Sequence, residues 1–143
     1  MGTGGVIPPP ATYFEKIQQI LREYAILFVV DEVICGFGRT GRMFSTRTYS
    51  LHPDMITMAK PLLSGYLPIL ALMVSENIYR VMVEQSKKFG VFGHWFTFGG
   101  HPVSSAVALE TQRVCKSQIS YLMCSRFRQA FKTGLEHLRF MIC

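Results

Sequence analysis

Asp31 and Lys60 each close a short apolar run, and an acid and an amine so placed can do chemistry together. Asp31 follows Leu27-Phe28-Val29-Val30, and Lys60 follows Met55-Ile56-Thr57-Met58-Ala59. A charge at the end of a buried strand is costly unless an opposite charge or a hydrogen-bond donor meets it. Read as adjacent parallel strands, the two runs set Asp31 and Lys60 side by side at one edge of a sheet, where ligands of open α/β folds gather. Two readings follow. In the plain one, the two groups form a buried ion pair. In the other, a cofactor lies between them, the lysine in Schiff-base linkage and the acid on a pyridinium nitrogen. Spacing alone favours the ion pair.

Several elements must position these groups. Ala25 to Val30 has the length and β-branched content of a strand buried on both faces. Ahead of it, Pro8-Pro9-Pro10 is a stiff extended entry, and Thr12-x-x-Glu15 fits a capping box. Phe14, Ile17, Leu21 and Tyr24 recur at helical spacing, which predicts a helix packing one face on the sheet. Asp54 to Ala59 reads as the second strand. The turn-rich Ser64-Gly65-Tyr66-Leu67-Pro68 leads to a third, Ile69 to Val74. That connection is too short for a helical crossover, so the third strand should run antiparallel to the second, with Lys60 at the tip of the connection. A lysine there has reach and freedom to swing.

Gly36-Phe37-Gly38-Arg39-Thr40-Gly41 satisfies G-x-G-x-x-G, but the dinucleotide fingerprint needs a glycine turn that opens a helix directly after a strand. Here Asp31 to Cys35 intervene, and Arg42 to His52 reads as a loop, so the glycines serve tight turns and close backbone approach. Downstream, Ser75 is placed to cap a helix from Glu76 to about Lys88, with Ile78, Met82 and Gln85 on one line. Phe89 to Phe98 is a loop. Pro102 opens a further helix to about Lys116, with Val103, Val107 and Glu110 or Thr111 at helical spacing, and a last helix is expected from Ile119 to Phe140.

Composition narrows the classes. A chain of 143 residues with 49% hydrophobic residues is globular and long enough to bury one core. No apolar run reaches the roughly 20 residues of a membrane span, and no secretory signal is visible. Cys35, Cys115, Cys124 and Cys143 form no C-x-x-C pair and read as reduced thiols of an intracellular protein. His52, His94, His101 and His137 are scattered, so no metal site is expected. The net charge of +6 lies mostly in helix-like segments and the tail, a solvated basic face, and no basic-aromatic motif points to nucleic acid.

Taken together, Asp31-Glu32-Val33, Gly36 to Gly41, His52-Pro53-Asp54, Ala59-Lys60, Ser64 to Pro68, Phe96-Thr97 and Gly100-His101-Pro102 resemble the class III aminotransferases. Gly4-Gly5-Val6-Ile7 with the three prolines looks like the same family's lead-in. The resemblance runs from about Gly4 to Arg113, fades toward Phe140, and is nearest to the ω-amino acid group that includes 4-aminobutyrate–pyruvate transaminases. It implies dependence on pyridoxal phosphate (PLP), an α/β fold, and a chain that is part of the type I large domain: a mostly parallel sheet with one antiparallel strand and helices packed on it. Residues 1–116 would belong to that domain, and 117–143 would lead toward a small domain.

By the resemblance, Lys60 matches the lysine that links to PLP and moves the proton, and Asp31 matches the acid on the pyridine nitrogen. Val33 matches the residue packed on the ring face, and a plain core valine fits as well. Thr97 matches a threonine that binds the cofactor phosphate of the neighbouring subunit of a homodimer. The implied substrates are a small amino donor such as 4-aminobutyrate and a keto acid such as pyruvate, in the mitochondrion or cytoplasm, with no nucleic acid or membrane partner. Pro61, Trp95 and Ile69-Leu70-Ala71-Leu72 depart from the family pattern, each near the site. The segments that supply the phosphate cup, the ring-stacking aromatic and a substrate-carboxylate arginine have no counterpart here. None of Arg39, Arg42 or Arg113 stands in that arginine's place, so the chain alone should turn over little or no substrate.

Overall fold

The computed structural model describes residues 5–94, 96–116, 126 and 129. The elements run α1 (Tyr13–Glu23), β1 (Val29–Asp31), α2 (Ser45–Thr48), β2 (Met55–Met58), a 3-10 turn (Lys60–Leu62), β3 (Ala71–Val74), α3 (Glu76–Phe89) and α4 (Pro102–Lys116). The helix expected over 119–140 lies outside the described residues except at Arg126 and Gln129, which are helical, and so does Trp95.

The sheet has the order β1-β2-β3. β1 and β2 are parallel, with Val29 opposite Met55 and Asp31 opposite Thr57, and β3 is antiparallel to β2, with Met58 opposite Ala71. The chain turns back between β2 and β3 through the 3-10 turn and a left-handed pair, Ser64 and Gly65, at φ 55° and 84°. This is the topology that the short connection predicts.

Burial departs from expectation. Buried hydrophobic side chains among the described residues are Leu51, Met58 and Leu63, so the core sits around the end of β2 and the turn after it. β1 is shorter than the apolar run and is not covered on both faces: Val29 is 48% exposed and Leu27 58%. Pattern alone reports that a strand is made to be covered; the covering element must come from elsewhere, and no described residues supply it.

The helices differ from expectation in detail. Thr12 stands at the N-cap of α1, but its side chain makes no capping bond, because its dihedrals (φ −100°, ψ 3°) are not those of an N-cap. α1 contacts residues 49–52: Gln18 Nε2 donates to the Ser50 carbonyl, Gln18 Oε1 accepts from the His52 N–H, and the Phe14 and Tyr49 ring centroids lie 5.0 Å apart. Tyr24, expected on the packed face, is 66% exposed. Ser75 is the N-cap of α3, with extended dihedrals, yet its hydroxyl is buried without a partner. α3 ends at Gly90, whose φ of 73° is the left-handed conformation that stops a helix. On α3 Ile78 and Met82 are half-buried as the spacing predicts, but Gln85 is exposed and Ser86, bonded to the Met82 carbonyl, takes its place. On α4 it is Ser104, not Val103, that is buried.

Candidate functional site

The carboxyl ends of the parallel pair carry the groups that the sequence singles out. Asp31 is the last residue of β1 and is exposed. Its Oδ1 accepts the Val33 N–H at 2.9 Å and the Thr57 hydroxyl at 3.3 Å. The first bond closes a local turn of the carboxylate on its own chain, which fixes Val33 just beyond the strand. The second crosses to the register partner on β2, so Asp31 and Thr57 share one face of the sheet. Oδ2 receives no hydrogen bond from the described residues and stays open to an incoming donor.

Lys60 comes off the same end of β2, two residues past Met58. Its backbone is held in the 3-10 turn by the Leu62 N–H on the Ala59 carbonyl at 2.8 Å. Gln112 of α4 donates to the Leu62 carbonyl at 3.4 Å, tying the turn to that helix. Pro61, expected to keep Lys60 from helical dihedrals, is accommodated at the second position of this one turn, where no N–H is needed. The Lys60 side chain is exposed, and among the described residues no ion pair joins it to Asp31. The plain reading, a buried ion pair, is therefore not what the structure holds: Lys60 is exposed on a turn that leaves β2 at the end where β1 carries a half-satisfied carboxylate.

Among the described residues Glu32 is the most deeply placed acid, at 0% exposure. Strand alternation turns it away from the face that Asp31 occupies. Its Oε1 accepts the Ser45 hydroxyl at 2.7 Å and the Thr46 N–H at 2.8 Å, so it caps α2. That explains a helix of Ser45-Thr46-Arg47-Thr48, weak helix formers in a stretch expected to be loop. The Glu32 N–H extends the ladder to the Thr57 carbonyl at 2.9 Å, and its carbonyl takes the Gly36 N–H at 3.0 Å. A Cβ on Gly36 would come within 2.9 Å of that carbonyl, so this position needs glycine. The glycine segment is thus a closed turn with no helix opening from it, as expected.

Among the described residues no hydrogen bond ties Thr97 to this edge. It sits exposed in the turn ahead of α4, while Gln112, ten positions after Pro102, is the α4 residue on the Lys60 turn. Ten helical residues span about 15 Å. Among the described residues no group of three His, Cys, Asp or Glu could hold a metal, and no helix is long and apolar enough to cross a membrane. A cleft of about 300 Å³ lined by Arg22, Ile26, Phe28, His52 and Asp54 lies at the opposite, amino end of the strands.

PLP fits what is present: a lysine free to link, and a fixed carboxylate with one oxygen open. An omega transaminase from Pseudomonas jessenii in complex with PMP matches 96% of this chain with a TM-score of 0.91 and 44% identity, and 30% of that chain is covered. The family model for aminotransferase class III matches residues 1–140, and the chain belongs to the class III aminotransferases. Gamma aminobutyrate transaminase 3, chloroplastic, of Solanum lycopersicum is 54% identical over 95% of this chain, and vanillin aminotransferase of Capsicum chinense is 49% identical over 95%. The chain spans 26% and 30% of the lengths of these two relatives.

Proposed function

We propose that this chain is the lysine-bearing segment of a PLP-dependent transaminase that moves an amino group from an ω-amino acid, such as 4-aminobutyrate, to a keto acid, such as pyruvate. The observation that carries the reading is the shared strand end: Asp31 with a free Oδ2 and Lys60 on an anchored turn issue from neighbouring parallel strands. Relatives named for aminobutyrate transamination support the substrate class, while another relative of similar identity is named for vanillin.

Bound at this edge, PLP would supply an electron sink that acidifies the C–H of the donor's amine-bearing carbon. Lys60 Nζ would hold the cofactor covalently and carry the proton of that carbon, a task suited to an amine with a long flexible stem. Asp31 Oδ2 would accept the ring N–H and favour the protonated ring, since Oδ1 is already occupied. Val33, held by its own N–H on Asp31, would lie against the ring face. Thr97, exposed in the turn ahead of α4, would serve the phosphate of a second subunit in a homodimer. A phosphate cup and a group for the substrate carboxylate would complete such a site.

The test is reductive trapping. Incubation with PLP, reduction with borohydride and peptide mapping should put the label on Lys60, and Lys60→Ala should lose it. Label spread evenly over surface lysines in both chains refutes the reading. Turnover of 4-aminobutyrate with pyruvate by this chain alone should be at or near background, since unoriented substrate forfeits roughly 7 to 11 kcal/mol of barrier reduction.

A second reading has its own observation. The outer edge of β1 is unpaired among the described residues, and Leu27 and Val29 are exposed beside it. A non-catalytic segment that pairs with a full-length relative would use that edge. Co-sedimentation with a class III transaminase subunit, together with absence of Lys60 labelling, would favour it.

A further inference from the structure

We infer that Thr57 is the positioning residue for Asp31: its hydroxyl, with the Val33 N–H, occupies Oδ1 and so presents Oδ2 to the cofactor's ring nitrogen. The inference rests on the functional reading above and adds a residue to it. Thr57 is opposite Asp31 in the parallel register, and both side chains stand on one face. A carboxylate held by the Val33 N–H alone, at 2.9 Å, can still pivot about that single bond. A second donor, from a different strand, removes the pivot. The two donors meet the same oxygen, so the other is left for a ligand.

Thr57 also suits this task by residue type. A β-branched side chain restricts its own χ1 and packs well in a strand, so its hydroxyl is held in place by the strand itself. Its carbonyl accepts the Glu32 N–H at 2.9 Å, which fixes the backbone from which the hydroxyl projects. At 3.3 Å the hydroxyl bond is long, so the effect should be moderate.

The test compares Thr57→Val with Thr57→Ser. Valine keeps the shape and the strand preference and removes only the hydroxyl; the Glu32 bond uses the backbone and survives in both. In titrations read by borohydride trapping on Lys60, Thr57→Val should need about fivefold more PLP for half-labelling, and Thr57→Ser should stay within about twofold of the parent. In the cofactor-free chain, hydrogen exchange at the Val33 amide should quicken in Thr57→Val and not in Thr57→Ser, because the freed carboxylate no longer holds its acceptor oxygen in place. Parent-like labelling and exchange in Thr57→Val overturns the inference while leaving the functional reading intact. Equal losses in both variants also overturn it, since side-chain volume and not the hydroxyl would then be at work. Absence of specific Lys60 labelling in the parent overturns the functional reading, and the inference with it.

Discussion

Asp54 and Asp31 stand at opposite ends of one pair of strands and do opposite things with the same side chain. Asp54 precedes β2 at the amino end. Its Oδ2 accepts the Phe28 N–H at 2.8 Å, its N–H donates to the Phe28 carbonyl at 2.9 Å, and its carbonyl accepts the Ser75 N–H at 2.7 Å. It stitches the lead-in of β1 to the residue after β3. Asp31, at the carboxyl end, makes only two bonds through one oxygen and is exposed. At the amino end, backbone donors of neighbouring strands come within reach of the acid. At the carboxyl end the strands offer carbonyls, and a carboxylate must look elsewhere for donors. The lesson is that a carboxylate becomes available to a ligand when its neighbours satisfy one oxygen and leave the other. Acids of the first kind should govern stability, and acids of the second kind should govern ligand binding.

Glu32 sharpens the comparison, because it adjoins Asp31 in sequence yet behaves like Asp54. Glu32→Ala should strip the acceptor from Ser45 and from the Thr46 N–H, both buried, and cost about 2 to 4 kcal/mol. Its own Oε2 is buried without a partner, and losing that atom offsets part of the cost. A urea titration should show the midpoint fall with little change in slope. An unchanged midpoint would move Glu32 out of the structural group and break the comparison.

Asp54→Ala comes next. It leaves the part-buried Phe28 N–H without its acceptor, at a cost of about 1 to 2 kcal/mol, and Asp54→Asn should recover most of it through the amide oxygen. Trapping of PLP on Lys60 in the absence of denaturant should match the parent in both. Reduced trapping in Asp54→Asn would mean that the two ends of the strands are coupled, against the division argued here.

How much of this was legible in the sequence can be judged residue by residue. The three strands were legible because each is a short apolar run, and the β2–β3 reversal because Ser64 to Pro68 leaves no room for a crossover. The location of Asp31 and Lys60 at one edge followed from that topology. The bond from Thr57 to Asp31 was not legible, because it needs the register as well as the topology, and register is a tertiary quantity. The role of Glu32 was hidden for a related reason: its partners lie 13 and 14 residues downstream, in a stretch whose own propensity favours no helix. The capping box at Thr12 and Glu15 looked sound and was not formed, since composition gives the opportunity and local dihedrals decide. Exposure of β1 was misjudged because the run reads as covered, whereas its cover is not among the described residues of a chain about a third the length of its relatives or less.

The smallest effect on stability should come from Asp31→Asn, and it is the variant on which the comparison turns. The amide oxygen can replace Oδ1 and accept both the Val33 N–H and the Thr57 hydroxyl, so the local turn survives. Asp31 is exposed, no ion pair depends on its charge among the described residues, and substitutions of this kind usually stay within about 0.5 kcal/mol. Ligand binding is another matter. With the amide oxygen facing Val33 and Thr57, the amide nitrogen takes the place of Oδ2 and presents a donor where an acceptor is required. A ring N–H there meets a donor instead of a carboxylate, so the charge-assisted bond is lost and replaced by repulsion between like dipoles. Loss of a hydrogen bond to a charged group corresponds to about 1.5 to 3 kcal/mol, or roughly 10- to 150-fold more PLP for half-labelling of Lys60. Glu32→Ala and Asp54→Ala should lower the urea midpoint and Asp31→Asn should leave it, while the order of PLP demand is reversed between Asp54→Ala and Asp31→Asn. A midpoint that falls with Asp31→Asn as far as with Asp54→Ala would show that both carboxylates serve the fold, and would take the free oxygen of Asp31 out of the site.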